Sequence, residues 1–370
     1  MRTKLTEMVG CEYPIVAFSH CRDVVAAVTN AGGFGMFGAS GYDPDTLDVE
    51  LKWLDEHTGG RGYGIDVLIP LKFTGGDGAD ELPDEHRQFV SQLMEKYGVP
   101  ELPADQQSEL RGRERQSSTL LSRAAELWDV AAAHPVRMFV SALGPPPAQL
   151  VEKAHAQGAV VGALVGAVAH AERQKAAGVD IVVAQGYEAG GHCGEITTMV
   201  LVPDVVDVMG DIPVLAAGGI ATGRQMAAAM ALGAVGVWTG SVWLTTQEAE
   251  THPVVKEKFL AAKASDTLRS RSSTGKPARQ LRSAWTDEWE DPANPSPLGM
   301  PQHGALIAEA KARIARAAHS SPGARDLANY FVGQVVGRLN SIKPARQVVE
   351  EMISEYIDAV ERLQGINTAE

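Results

Sequence analysis

The chain has 370 residues, 45% hydrophobic and 21% charged, the make-up of a globular protein that fits one barrel-sized domain or two ordinary ones. With 33 basic and 46 acidic side chains its net charge is −13, which argues against a nucleic-acid surface as the main function. No apolar run reaches the ~20 residues that cross a bilayer, the first residues lack a signal-peptide core, and Cys11, Cys21 and Cys193 show no disulfide or metal spacing, so a soluble cytoplasmic protein is expected.

From the N-terminus, residues 13–18 predict a first strand and 23–31 a short helix with Asp23 as its N-cap. Residues 34–38 read as a second strand. A helix over 44–57 carries Leu47, Leu51 and Leu54 at helical spacing, and 62–69 make a third strand. This alternation is the signature of parallel α/β architecture. Residues 70–119 then interrupt it with charge, Gly and Pro, one helix near 85–97 and no strand-like run. That is too long for a βα connection, so an insertion after strand three is expected, either a lid or a surface excursion.

The rhythm resumes with a helix at 120–133, strand four at 136–141, a Pro-initiated helix at 145–157, strand five at 159–164 and a helix at 167–177. Strand six runs from about 178 to Gln185, strand seven covers 212–217, and strand eight 234–239 after a helix closed by Gly233. Eight strands with helices between them predict an α/β fold of the (β/α)8 TIM-barrel type over 1–69 and 120–247. An open doubly wound sheet is the alternative, but the first strand lacks a G-x-G-x-x-G turn. Residues 248–370 hold a basic, Ser-rich stretch from Arg269 to Arg282 and helices at about 304–318, 326–340 and 345–363. They are expected to form a helical subdomain packed on the barrel.

Strand six feeds the string Gln185-Gly186-Tyr187-Glu188-Ala189-Gly190-Gly191-His192-Cys193-Gly194-Glu195. Its glycines let the backbone approach a ligand closely, and it brings an acid, an imidazole and a thiol to one loop; the plainer reading is a Gly-rich turn with a solvated His. Loops after strands seven and eight of such barrels often bind phosphate through backbone N–H groups. Here they carry Gly218-Gly219 and Gly240-Ser241, the serine adding a hydroxyl donor. His192 has the proton affinity of a general base for a carbon acid, or of a hydrogen-bonding group. His20, Asp66 and Ser141 end strands one, three and four and are candidates to face substrate. No metal is expected, because His192, Cys193 and Glu195 are too close in sequence to converge on one ion. Cys193 reads as a bystander and Glu188 as an acid that fixes the loop. The basic stretch with Arg269, Arg271, Lys276, Arg279 and Arg282 reads first as solvated surface and second as a site for a CoA or nicotinamide phosphate.

Together with Ala217-Gly218-Gly219-Ile220-Ala221, Gly233-Ala234, Gly236-Val237 and Gly240-Ser241, the Gln185–His192 string resembles the nitronate monooxygenase (2-nitropropane dioxygenase-like) family. The likeness extends to residues 30–35, to Thr274-Gly275-Lys276-Pro277-Ala278-Arg279 and to Gly333-Gln334. It implies an FMN-dependent barrel with a helical appendage. Gln185 would contact the isoalloxazine, Gly190 and Gly191 would belong to the cofactor loop, Gly218, Gly219, Gly240 and Ser241 would hold the phosphate, and His192 would stand beside the flavin. Two places depart from the family pattern: Ala17-Phe18-Ser19-His20 replaces a Pro-Met-x-Gly turn, and Gly64-Ile65-Asp66 replaces Gly-Val-Asn. The expected reaction is oxidation of a nitronate or similar small molecule with O2. An NAD(P)H-dependent flavin oxidoreductase acting on a quinone, enone or acyl-CoA is the alternative; a non-catalytic flavin-binding barrel is disfavoured by the intact His192 motif. No nucleic-acid or membrane partner is expected, and a homodimer stays open.

Overall fold

The computed structural model describes residues 1–69, 82–103 and 120–368. Eight parallel strands close into a barrel: Ile15–Ser19, Phe34–Gly38, Tyr63–Val67, Val136–Ser141, Val160–Val165, Ile181–Gln185, Val214–Ala217 and Gly236–Thr239. The first pairs with the second and, through Ala17 opposite Thr239, with the eighth. The (β/α)8 architecture read from the sequence is the one present. The second and fourth strands and the helix Pro44–His57 keep their expected bounds. Asp23 does not cap its helix: Arg22–Asn30 starts one residue after Cys21, so Asp23 lies in the first turn, where a carboxylate still favours the helix dipole.

Alternate residues along each strand face inward and outward. Val16, Met36, Met138, Val140, Val183 and Trp238 belong to an apolar cluster filling the barrel, whereas Ala17, Phe37, Ile65, Phe139, Val182 and Val237 join the surrounding helices in a larger one. Strands buried on both faces read as continuous hydrophobic runs, which is why they are recognisable in the sequence. The same alternation sorts the residues at the strand ends. Phe18, Asp66 and Gln185 continue the inward register, and Ser141 continues the outward register of Phe139.

Of the expected insertion, residues 82–103 are described. The helix Asp84–Lys96 buries Phe89, Leu93 and Met94 and docks on the C-terminal part of the chain. Phe89 meets Trp289 edge-on at 4.8 Å, Tyr97 donates to the Glu288 carboxylate at 2.8 Å, and Arg313 donates to the Pro100 carbonyl at 3.0 Å. The rest of the segment, and with it most of the lid reading, lies outside the described residues.

The C-terminal part differs from a purely helical subdomain. The basic stretch folds into an antiparallel hairpin, Thr267–Ser270 with Ala278–Leu281, and Gly191–His192 adds a third strand to it. Solvated surface is therefore the wrong description for its centre: Arg279 is 2% exposed, and Ser270, Ser272 and Gln280 are buried. The helix expected at 326–340 is replaced by a short one, Pro322–Leu327, and a 3-10 turn, Gln334–Arg338. Between them the backbone is committed elsewhere: Gln334 N–H donates to the Glu188 carbonyl at 2.9 Å and Gly333 N–H to the Ser241 hydroxyl at 2.8 Å. Longer helices, Gln302–Ala317 and Ala345–Thr368, flank this segment. Among the described residues no helix is long and apolar enough to cross a membrane.

Candidate active site

On its seventh- and eighth-strand side the mouth of the barrel is made of backbone. Gly218 and Gly219 have φ of 97° and 72°, a region that costs a residue with a side chain ~1–3 kcal/mol. A Cβ on Gly218 would also lie 2.9 Å from the Gly186 carbonyl oxygen and from Thr198 Oγ1. Thr198 opens the helix Thr198–Met209. Its Oγ1 lies 2.8 Å from the Gly218 carbonyl and 2.9 Å from Glu188 Oε2, which also accepts the Thr198 N–H at 2.9 Å. Glu188 thus satisfies an N-terminal donor of that helix and ties it to the loop.

At Gly240 the backbone borders open space. The nearest atom to a Cβ placed there is a Phe18 ring carbon at 3.9 Å. Ser241 begins the 3-10 turn Ser241–Thr245, and its hydroxyl oxygen accepts the Gly333 N–H. Gly190 and Gly191 have packing reasons of their own. A Cβ on Gly190 would come within 2.7 Å of the Gly333 nitrogen, and Gly191, at φ 73°, turns the chain into its strand with Arg279.

His192 stands opposite Ala278 in that small sheet. Its Nδ1 is 3.3 Å from the Pro277 carbonyl oxygen. A carbonyl only accepts, so Nδ1 carries the proton and Nε2 presents its lone pair. Burial holds the imidazole pKa below its ordinary value; the Pro277 carbonyl opposes this and the Lys276 charge reinforces it. The ring is therefore a neutral base near pH 7.

On the side of the first and third strands, polar side chains line the mouth. His20 Nδ1 is 2.8 Å from the Gly38 carbonyl, its ring meets Phe18 edge-on at 5.1 Å, and burial lowers its pKa against the pull of that carbonyl. Asp66 is buried on the inward register, and burial pushes its carboxyl up to about 7. Gln185, half-buried at the end of the sixth strand, also continues the inward register. Ser141 is different. Fully buried, it donates its hydroxyl to the Gly144 carbonyl at 2.6 Å and so fastens its own loop instead of facing the mouth.

Around His192 the structure gives Arg279, grouped in the sequence with a basic stretch read first as solvated surface, a buried bracing place. Arg279 donates from Nε to the Tyr187 carbonyl and from Nη1 to Thr267 Oγ1, both at 3.1 Å. Its guanidinium stacks on the Tyr187 ring at 4.3 Å, holding the hairpin and the glycine loop together. No local pattern in Ala278-Arg279-Gln280-Leu281 marks it as a buried strand; its burial follows from pairing with Thr267–Ser270 and Gly191–His192. Cys193 Sγ points to the Tyr187 carbonyl at 3.4 Å, and burial raises its pKa. Glu195 reaches Arg269 at 3.5 Å, so His192, Cys193 and Glu195 diverge.

Glycine turns after the seventh and eighth strands, open room at Gly240 and polar groups inside an apolar mouth fit a large planar ring system with an anionic tail, as a flavin has. Known proteins point the same way. A family model described as nitronate monooxygenase matches residues 2–355. A Mycobacterium tuberculosis protein named "putative monooxygenase" is 57% identical over 376 aligned positions that cover 99% of both chains. The fold superposes on a nitroalkane oxidase from Streptomyces ansochromogenes with a TM-score of 0.80, at 26% identity over 97% of this chain and 99% of that one. It superposes on FabK from Thermotoga maritima with a TM-score of 0.74, at 28% identity over 99% of each.

Proposed function

Because this chain belongs to the nitronate monooxygenase family of flavin-dependent oxidoreductases, we propose that it binds FMN and oxidises alkyl nitronates with O2, using His192 at the substrate. The observation that carries this reading is the state of His192. It is a half-buried imidazole whose Nδ1 faces a carbonyl and whose pKa is lowered, which leaves Nε2 ready to accept a proton from carbon or a hydrogen bond from substrate. A flavin bound in the mouth supplies the two-electron acceptor and the reaction with O2. Gly218, Gly219, Gly240 and Ser241 are the residues to hold its phosphate, and Gln185 is the side chain to meet its ring. A single phosphate matches a cradle made of two short glycine-bearing loops, so FMN is preferred to FAD.

The role of His192 separates two substrates. A nitronate is already deprotonated at carbon and needs no base. A neutral nitroalkane must first lose that proton, a step in which a positioned base contributes ~10²–10⁴-fold. The His192→Asn variant is expected to retain FMN, to lose nitroalkane turnover by that factor, and to keep part of its nitronate turnover. Equal rates of variant and wild type on both compounds would reduce His192 to a loop residue. Anaerobic bleaching of the wild-type flavin by NADH or NADPH but not by propyl nitronate would replace this reading with the NAD(P)H-dependent one.

A further inference from the structure

Asp66 has no part in the chemistry described so far, and its position is costly. It is the fourth residue of the third strand, 4% exposed, and stands in register with Gly38 on the second strand and Val140 on the fourth. It shares its inward face with Gly64, where an added Cβ would strike Met36 of the barrel filling. Among the described residues no side chain hydrogen-bonds its carboxyl and no cation acts on it; burial accounts for its raised pKa. The groups across the register are not ionisable. His20, seated on Gly38, is the titratable group at the end of the first strand, and burial favours its neutral form. An isolated carboxylate at such a site is strongly disfavoured, whereas a carboxylic acid is tolerated and can donate a hydrogen bond.

We propose that Asp66 is the oxyanion-recognition group of this site: it is held as the carboxylic acid and donates its proton in a hydrogen bond to an oxygen of the nitro or nitronate head. The identity of that oxyanion rests on the function proposed above. A neutral donor facing an apolar interior strengthens the hydrogen bond to an anionic oxygen, while the ionised form both loses the donor and repels the anion. Affinity for the anion then falls as pH rises through the titration of Asp66. It does not follow His192 or His20, which have already lost their protons in that range.

The test uses the flavin-loaded enzyme and inorganic nitrate, an unreactive planar oxyanion, with binding read from the flavin absorbance. In the wild type the nitrate dissociation constant should be level just below pH 7 and rise about tenfold per pH unit above it. In Asp66→Asn, whose amide donates without titrating, it should stay level from pH 7 to 9; Asp66→Glu should restore the slope. Infrared difference spectra near pH 6 should contain a protonated-carboxyl band that Asp66→Asn lacks. Absence of nitrate binding, the same slope in wild type and Asp66→Asn, or a carboxyl band unchanged by the substitution would each overturn the proposal. Titrating nitrate affinity in an enzyme inert towards propyl nitronate would instead remove the proposed activity and leave the assignment of Asp66 standing.

Discussion

The two sides of the barrel mouth are made of different material. Around the seventh and eighth strands the wall is backbone, with Gly218 packed against Gly186 and Thr198 and open space at Gly240. Around the first and third strands it is side chain, with His20 and Asp66 set among Phe18, Met36 and Val140. The backbone side is intolerant at Gly218, where an added atom collides with the Gly186 main chain and the Thr198 hydroxyl. The side-chain side accepts new atoms of similar size and changes its chemistry with them. On the function proposed above, cofactor binding would belong to the first kind of wall and choice of substrate to the second.

The strongest test of that contrast is a pair of valines. Gly218→Val adds a positive-φ penalty to a collision with main chain, together about 3–5 kcal/mol, and should lower the melting temperature sharply and abolish flavin retention. Gly240→Val meets no positive-φ penalty, φ being −126°, and has open space around it. It should leave the melting temperature of the apoprotein within a few degrees and still reduce flavin content, because its methyl groups enter the room the ligand needs. If both variants melt alike, the backbone wall is not the rigid element described here.

On the opposite wall Asp66→Asn should stabilise the apoprotein, with a sign that depends on pH. The folded carboxyl titrates at about 7, above the unfolded value of ~3.9. The folded state therefore binds the extra proton between these values, and wild-type stability falls as pH rises through that window and levels off above it. Asparagine escapes the loss, on the order of 2–4 kcal/mol at pH 8 and near zero at pH 4. Denaturant melts at the two pH values measure it, and an equal effect at both would mean that Asp66 is solvated.

The smallest effect should come from Thr198→Val. It removes the hydroxyl contacts with the Gly218 carbonyl and Glu188 but keeps the backbone N–H to Glu188. A loss of ~1–2 kcal/mol is expected, with flavin content unchanged. Loss of flavin in this variant would show that the glycine turn depends on its side-chain tether.

The barrel was legible because its strands are buried on both faces and several of them, the second, fifth, sixth, seventh and eighth, end at or just before a glycine, so periodicity and punctuation agree. The turn after the seventh strand was legible from its glycines, since positive φ at Gly218 and Gly219 leaves glycine as the residue that fits. What the sequence concealed depends on contacts between distant segments. Nothing local shows that Gly191–His192 is a strand until Ala278–Arg279 pairs with it. The helix Thr198–Met209 was missed because Pro203 interrupts an otherwise β-branched run. It survives because the carbonyl one turn earlier belongs to Met199, which is 65% exposed and can be met by water. Residues 326–340 had helical composition, but Gly333 and Gln334 give their N–H groups to Ser241 and Glu188. Ser141 ends its strand and Asp66 stands one residue before the end of its own, and this one step of register separates a loop fastener from a residue inside the mouth.

The strand formed by Gly191–His192 with the distant hairpin also sets an order of events during synthesis. Once Thr239 has left the ribosome, all eight barrel strands exist, yet His192 has neither its strand partner nor the Pro277 carbonyl that fixes its proton. At ~5–20 residues per second the stretch to Leu281 takes several seconds more. The nascent chain therefore has its eight strands before His192 has the sheet that holds it, and the loop after the sixth strand takes its final form only from segments translated after the barrel.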